Sequence, residues 1–79
     1  MIRLNGEHVR LLRNALGVSQ MRVVERTGIP QTTLSYIEVN RKQLTREQQR
    51  KILDALGIDE KRAEEIVIFL EDVRAEVNR

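Results

Sequence analysis

Three glycines divide the chain into short segments, and their spacing limits what the chain can fold into. They occur in the pairs Leu16-Gly17, Thr27-Gly28 and Leu56-Gly57. Glycine can end a helix in the left-handed conformation without the steric cost of a Cβ atom. Strand signals are missing, because apolar and polar residues do not alternate for long and only two aromatic residues occur. The sequence therefore predicts an all-α fold built from short helices.

Capping residues and apolar spacing predict five helices, and Thr45-Arg46-Glu47-Gln48 has the form of a capping box at the start of the fourth. They run from after Asn5 to Leu16, from Ser19 to Thr27, from Pro30 to about Val39, from 46 to 56, and from after Asp59 almost to the end. The residues predicted to face the core are Val9, Leu12, Leu16, Val23, Val24, Leu34, Ile37, Ile52, Leu53 and Leu56. No linker or repeat separates the helices. We therefore predict one domain, with a head at residues 1–58 and a C-terminal helix at residues 59–79.

Charge is distributed unevenly along the chain. Residues 1–58 carry ten Lys and Arg against five Asp and Glu, a formal charge of +5, whereas residues 59–79 carry four against seven, a charge of −3. The net charge of +2 hides this difference. A basic head with a separate acidic element is typical of a chain whose head binds nucleic acid. Helical proteins also scatter charge by chance, so charge alone leaves both interpretations open.

Several chemistries are excluded by composition. The 79 residues include no cysteine and one histidine, which excludes disulfides, thiol catalysis and the usual structural zinc sites. His8 has no second ligand candidate, and we predict that it is a surface helix residue. The sequence has no glycine-rich phosphate loop and no nucleophile beside a base, so we expect no enzyme, no metal and no cofactor. It also lacks a signal peptide and an apolar run of about 18 residues, so we expect a cytoplasmic protein without a membrane partner.

The segment from Ser19 to Asn40 places two short helices around a tight turn at Thr27-Gly28-Ile29. Glycine is needed there because the turn must reverse direction while the two helices stay in contact. This spacing predicts a helix-turn-helix pair. Such pairs also occur in proteins that never bind DNA, so the spacing alone does not assign a function.

Three stretches within residues 9–58 resemble the phage-repressor helix-turn-helix family of Cro or Xre type. They are Val18-Ser19-Gln20, the run Gly28-Ile29-Pro30-Gln31-Thr32-Thr33-Leu34-Ser35, and Ile37-Glu38 before a basic turn. The resemblance implies a five-helix, lambda-repressor-like DNA-binding domain with a long C-terminal helix. It further implies a sequence-specific transcriptional regulator, a repressor, whose third helix enters the major groove of double-stranded DNA.

The resemblance also implies a role for individual positions. Base edges would be read by Gln31, Thr32 and Tyr36. The DNA backbone would be contacted by Ser19, Gln20, Thr33, Ser35, Arg41 and Lys42, with Arg10 and Arg22 as further candidates. Arg13 and Glu38 match positions that form a structural ion pair between the first and third helices. Other interpretations stay open for four residues. Ser19 can be only a helix cap, Tyr36 can simply cover the protein surface, and Arg41 and Lys42 can form only a solvated basic turn.

Three positions depart from the family pattern. Val24 replaces the usual alanine at the tight helix contact, and Thr27 replaces a common leucine or valine. The third helix ends in Glu38-Val39-Asn40, so asparagine is expected to take the left-handed conformation instead of glycine.

The C-terminal helix carries more apolar surface than one small domain can cover. Ala63, Ile66, Leu70, Val73 and Val77 recur at spacings of 3, 4, 3 and 4, and Val67, Ile68 and Phe69 lie beside or opposite them. We predict that part of the helix packs on the head and the rest forms a symmetric homodimer. The predicted dimer residues are Ile66, Phe69, Leu70, Val73 and Val77. Two alternatives remain: a helix that only closes the core, and an interaction protein such as an antitoxin or anti-repressor that acts through this helix.

Overall fold

A computed structural model describes residues 3–77, and within that range it contains five α-helices and no strand. The helices are α1 (Gly6–Ala15), α2 (Gln20–Thr27), α3 (Gln31–Glu38), α4 (Arg46–Leu56) and α5 (Glu60–Val77). The all-α, five-helix prediction is confirmed. One boundary shifts slightly: Pro30 is the N-cap of α3 rather than its first residue, because its ψ of 144° is extended.

Reciprocal capping boxes define where α1 and α4 begin. At α4, the Thr45 hydroxyl accepts a hydrogen bond from the Gln48 amide at 3.1 Å, and the Gln48 side chain accepts one from the Thr45 amide at 3.0 Å. The same exchange occurs at α1 between Asn5 and His8, at 2.9 and 3.1 Å. Each box satisfies two backbone N–H groups that would otherwise lack partners. The box at α4 was predicted, whereas the one at α1 was missed because it uses a histidine.

The core lies where α1 to α4 converge, and α5 closes one side. Its most deeply buried apolar side chains are Val9, Leu12, Val23, Leu34, Ile37 and Ile52. Leu53 and Leu56 are also buried, and Val24 packs partly buried against the core. The prediction that Leu16 is buried is wrong, since its side chain is 38% exposed. The helix α1 ends at Ala15, so the chain turns away before Leu16 can continue the inward stripe of Val9 and Leu12.

The helix α5 packs across α1. Ala63 and Val67 are the buried residues of α5, so Ala63 faces the core and does not begin an exposed seam. Two polar contacts extend this packing: His8 Nε2 to Glu71 Oε1 at 2.9 Å, and Arg74 Nη1 to Glu7 Oε1 at 2.7 Å. His8 is therefore not a simple surface residue, because its ring caps α1 with one nitrogen and contacts α5 with the other. The hydrogen bond from Arg74, together with its charge, holds the pKa of Glu7 below its usual value.

Hydrogen bonds tie the residues at the start of α1 to the loop after α3 and to α4. The Gly6 amide donates to Asn40 Oδ1 at 3.1 Å, and the Leu4 amide donates to the buried Gln49 side chain at 3.0 Å. Gly6 lies so close to α3 that an added Cβ atom would be 1.5 Å from the Ile37 carbonyl oxygen. Only glycine allows this approach of the two backbones. Nothing local in the sequence indicated it.

Candidate nucleic-acid interface

A turn of fixed geometry joins α2 and α3. Gly28 has a φ of 76°, the left-handed conformation expected at this position, and its amide donates to the Val24 carbonyl at 2.9 Å. The Thr27 hydroxyl donates to the Val23 carbonyl at 2.7 Å and accepts from the Ile29 amide at 3.1 Å. Thr27 therefore fastens both sides of the turn. This role, typical of a threonine at a helix end, was missed when Thr27 was treated only as a departure from the family pattern.

The two sides of α3 differ sharply in exposure. Leu34 and Ile37 are completely buried. Residues two positions away from Leu34 lie about 160° round the helix, because successive residues rotate by about 100°. Thr32 and Tyr36 occupy that opposite side and are exposed, Tyr36 to 48%. Gln31, at the start of α3, is also exposed. The three residues predicted to read bases are therefore all exposed, with Thr32 and Tyr36 on one side of α3 and Gln31 about 100° round the helix from Thr32.

Several of the polar residues predicted to contact phosphate already form hydrogen bonds within the protein. The Ser19 hydroxyl caps α2 by accepting from the Arg22 amide at 3.1 Å. The Ser35 hydroxyl donates to Gln20 Oε1 at 3.4 Å, a long contact that links α3 to α2. Thr33 and Ser35 are half-buried. The amide nitrogen of Gln20 remains a donor, since only its oxygen receives this bond.

The loop after α3 places two cations beside its last turn. Asn40 has a φ of 59°, so it takes the predicted left-handed conformation. Its amide donates to the Ile37 carbonyl at 3.0 Å, and the Arg41 amide donates to the Tyr36 carbonyl at 2.8 Å. These two bonds form a Schellman motif. The side chains of Arg41 and Lys42 are consequently exposed next to Tyr36.

A buried ion pair joins α1 to α3 behind the exposed surface. Arg13 Nε donates to Glu38 Oε2 at 3.0 Å, and Arg13 Nη2 donates to Glu38 Oε1 at 2.9 Å. The Arg13 side chain is 14% exposed and that of Glu38 is 3% exposed. A third bond, from Arg13 Nη1 to the Val18 carbonyl at 3.2 Å, reaches the loop before α2. Arg13 therefore supports the orientation of α3, whereas Arg10 and Arg22 are exposed.

A short helix with an exposed polar side, held by a glycine turn against a second short helix, is the arrangement of a helix-turn-helix motif. Sequence comparison agrees with the geometry. The chain belongs to the helix-turn-helix domain family, whose profile matches residues 6–66. Membership of this family supports a DNA-binding regulator, because helix-turn-helix domains place their second helix in the major groove of DNA. No curated protein and no solved structure gave a significant match.

Within residues 3–77, acidic and histidine side chains nowhere form a group of three or more that could hold a metal ion. None of the helices in the same range is both long and apolar enough to span a bilayer.

Proposed function

We propose that the chain is a sequence-specific transcriptional repressor of Cro or Xre type, with α3 as the recognition helix. The observation that carries this proposal is the exposed part of α3, where Thr32 and Tyr36 lie opposite the buried Leu34 and Gln31 is exposed at the first turn. Gln31 has the amide that pairs with adenine as donor and acceptor together, and Thr32 offers a methyl group to thymine. In this proposal Tyr36 joins them in the groove, where its ring can stack on sugar and its hydroxyl can donate to phosphate.

Backbone contacts would orient α3 in the groove. In this proposal Arg41 and Lys42 bind phosphates at the end of α3, while Ser19, Gln20, Thr33 and Ser35 contact the backbone near the start of α2 and along the groove walls. Phosphate contacts position a protein without reading sequence. The +5 charge of residues 1–58 supports this assignment, because a polyanion is attracted to that part of the chain.

Base reading by Gln31 can be tested once a bound sequence is selected from a random duplex pool. Gln31→Ala is expected to weaken binding by about 1–3 kcal/mol per half-site and to relax preference at one base pair. Arg41→Gln serves as the comparison, because loss of a phosphate contact weakens binding about equally on all sequences. Fluorescence anisotropy on a panel of single-base variants measures both patterns. If Gln31→Ala and Tyr36→Ala both bind every duplex as the parent does, α3 is not the recognition helix.

We further propose that α5 forms a symmetric homodimer. Phe69, Val73 and Val77 lie on a strip of α5 about 100° round the helix from the buried Ala63 and Val67. Their side chains are exposed, Phe69 to 65% and Val77 to 77%. Ile66 and Leu70 are half-buried: Ile66 lies on the strip, and Leu70 lies between the strip and the buried residues of α5. A second copy on the strip would cover apolar surface that one domain leaves in water.

Dimerisation also fits the proposed recognition mode. One recognition helix reads only a few base pairs, whereas two helices related by a twofold axis reach half-sites about 34 Å apart on one side of the duplex. A palindromic operator would therefore match a symmetric dimer.

The dimer strip is tested by Phe69→Glu. A carboxylate in place of this large apolar side chain is expected to raise the dissociation constant of the dimer roughly 30-fold, or about 2 kcal/mol. Sedimentation equilibrium measures the change. Ile68→Glu is the matched control, because Ile68 is 50% exposed but lies about 140° from the strip. Equal self-association of the parent and both variants would exclude this interface.

The same exposed strip favours a second candidate function. An antitoxin or anti-repressor would use Phe69, Val73 and Val77 to bind a different protein, with little DNA binding by α3. Such a chain would be monomeric alone and would select no sequence from the duplex pool. The repressor proposal requires the opposite result in both measurements.

A further inference from the structure

An open cleft of about 400 Å³ lies between the first described residues and the loop after α3. Its walls are residues 3–6 on one side and residues 40–44 on the other. Three of these residues are cations, Arg3, Arg41 and Lys42, and none is acidic. The cleft is much larger than the roughly 30 Å³ occupied by one water molecule, so it has room for a hydrated anionic group.

Specific hydrogen bonds hold the two walls together. Arg3 Nη2 donates to the Leu44 carbonyl at 2.9 Å, and the Gly6 amide donates to Asn40 Oδ1 at 3.1 Å. Arg3 is thus held at the cleft although it is 41 residues from Leu44 in sequence. A guanidinium has five N–H donors in a planar fork, so donors remain after the bond to Leu44.

The cations of the cleft lack a compensating charge. Within residues 3–77, neither the Arg41 nor the Lys42 side chain forms an ion pair or a hydrogen bond, and no carboxylate lines the cleft. Placing three positive charges together without a counter-ion costs free energy through their repulsion. A bound phosphate group would remove this cost, and arginine is well suited to bind it because its planar fork matches phosphate oxygens.

The position of the cleft beside α3 indicates which phosphate it would bind. The amides of Arg41 and Lys42 both donate to the Tyr36 carbonyl, at 2.8 and 3.2 Å, so the cleft adjoins the last turn of α3. We propose that Arg3, Arg41 and Lys42 together bind one backbone phosphate of the DNA that α3 contacts. This inference rests on the proposed function. It adds Arg3, which the sequence did not single out, as a DNA-binding residue.

The salt dependence of DNA binding tests the role of Arg3. Each phosphate contact contributes about 0.9 to the slope of log K against log salt concentration. Because three cations share the phosphate of the cleft, Arg3→Gln is expected to lower the slope by part of this value, at most about 0.9 per head or about 1.8 for a dimer. Arg3→Lys should keep the parental slope, because it retains the charge. Lys61→Gln is the matched control: it removes the same charge from an exposed position on α5 and should leave the slope unchanged. A parental slope for Arg3→Gln overturns the inference, as does an equal affinity loss in Arg3→Gln and Arg3→Lys with unchanged slopes.

A second measurement separates DNA phosphate from a free anion. Inorganic phosphate is titrated into the parent and Arg3→Gln while the amide signals of Gly6 and Arg41 are followed by NMR. Saturation by inorganic phosphate together with a parental DNA slope for Arg3→Gln would make the cleft a free-anion site and overturn the DNA assignment. A parent that binds no duplex refutes the proposed function and this inference with it. A parent that binds its operator while Arg3→Gln is unaffected refutes only the inference.

Discussion

Gly6→Ala is expected to destabilise the fold by about 3 kcal/mol or more, at or above the upper end of the usual cost of overpacking. The added Cβ atom would be 1.5 Å from the Ile37 carbonyl oxygen and 2.5 Å from its carbon. Both are backbone atoms, so no side-chain rotation can relieve the overlap. The start of α1 must move away from the end of α3, which also breaks the hydrogen bond from Gly6 to Asn40.

Thermal unfolding followed by circular dichroism measures this loss. For a domain of this size, about 1 kcal/mol shifts the melting temperature by roughly 4–8 °C, so the expected decrease is roughly 12–24 °C. Gly57→Ala is the control, since nothing lies within 4 Å of its added Cβ atom and its φ is 76°. It tests the strain of left-handed alanine alone, about 1–2 kcal/mol. If Gly6→Ala were no more destabilising than Gly57→Ala, the close approach of α1 and α3 would be incorrect.

Glu38→Ala is expected to cost about 3 kcal/mol, because it leaves the Arg13 guanidinium mostly buried without its carboxylate partner. The value lies at the lower end for broken buried pairs, since Arg13 keeps its bond to the Val18 carbonyl and is 14% exposed. Urea denaturation measures the free energy of unfolding. Glu47→Ala is the matched control: Glu47 pairs with Lys51 at 3.6 Å on the surface, and such pairs contribute less than about 1 kcal/mol.

A double variant separates the buried charge from the loss of packing. Arg13→Leu combined with Glu38→Leu removes both charges and fills the space with apolar groups. Such replacements are often neutral or stabilising, so the double variant should be more stable than Glu38→Ala. A double variant less stable than Glu38→Ala would show that the main role of the pair is not to compensate buried charge.

Local signals predicted those parts of the fold that depend on neighbouring residues. The α4 boundary follows from its capping box, and the exposed side of α3 follows from the phase of Leu34 and Ile37 on a regular helix. The left-handed Asn40 was predicted because, after glycine, asparagine adopts this conformation most readily at a helix end. The prediction that Leu16 is buried was wrong, because helical phase does not predict burial beyond the end of a helix and α1 ends one residue before Leu16.

Contacts between distant residues had no such signal. Gly6 is required by a carbonyl 31 positions along the chain, and the ring of His8 contacts Glu71, 63 positions away. Arg3 joins the candidate site only because the first residues fold back onto the loop after α3. In the sequence it is one arginine among many. The exposed side of α3 was therefore predictable residue by residue, while the basic cleft beside it required the structure.

The helix α1 has a mechanical role that follows from its partners on both sides. It holds α3 through Arg13 and Gly6, and it holds α5 through Glu7 and His8. Its ten residues span about 15 Å. In the proposed dimer, α1 would act as a rigid strut between the symmetry axis and the DNA. The separation of the two recognition helices, and hence the half-site spacing, would then depend on a helix that reads no base itself.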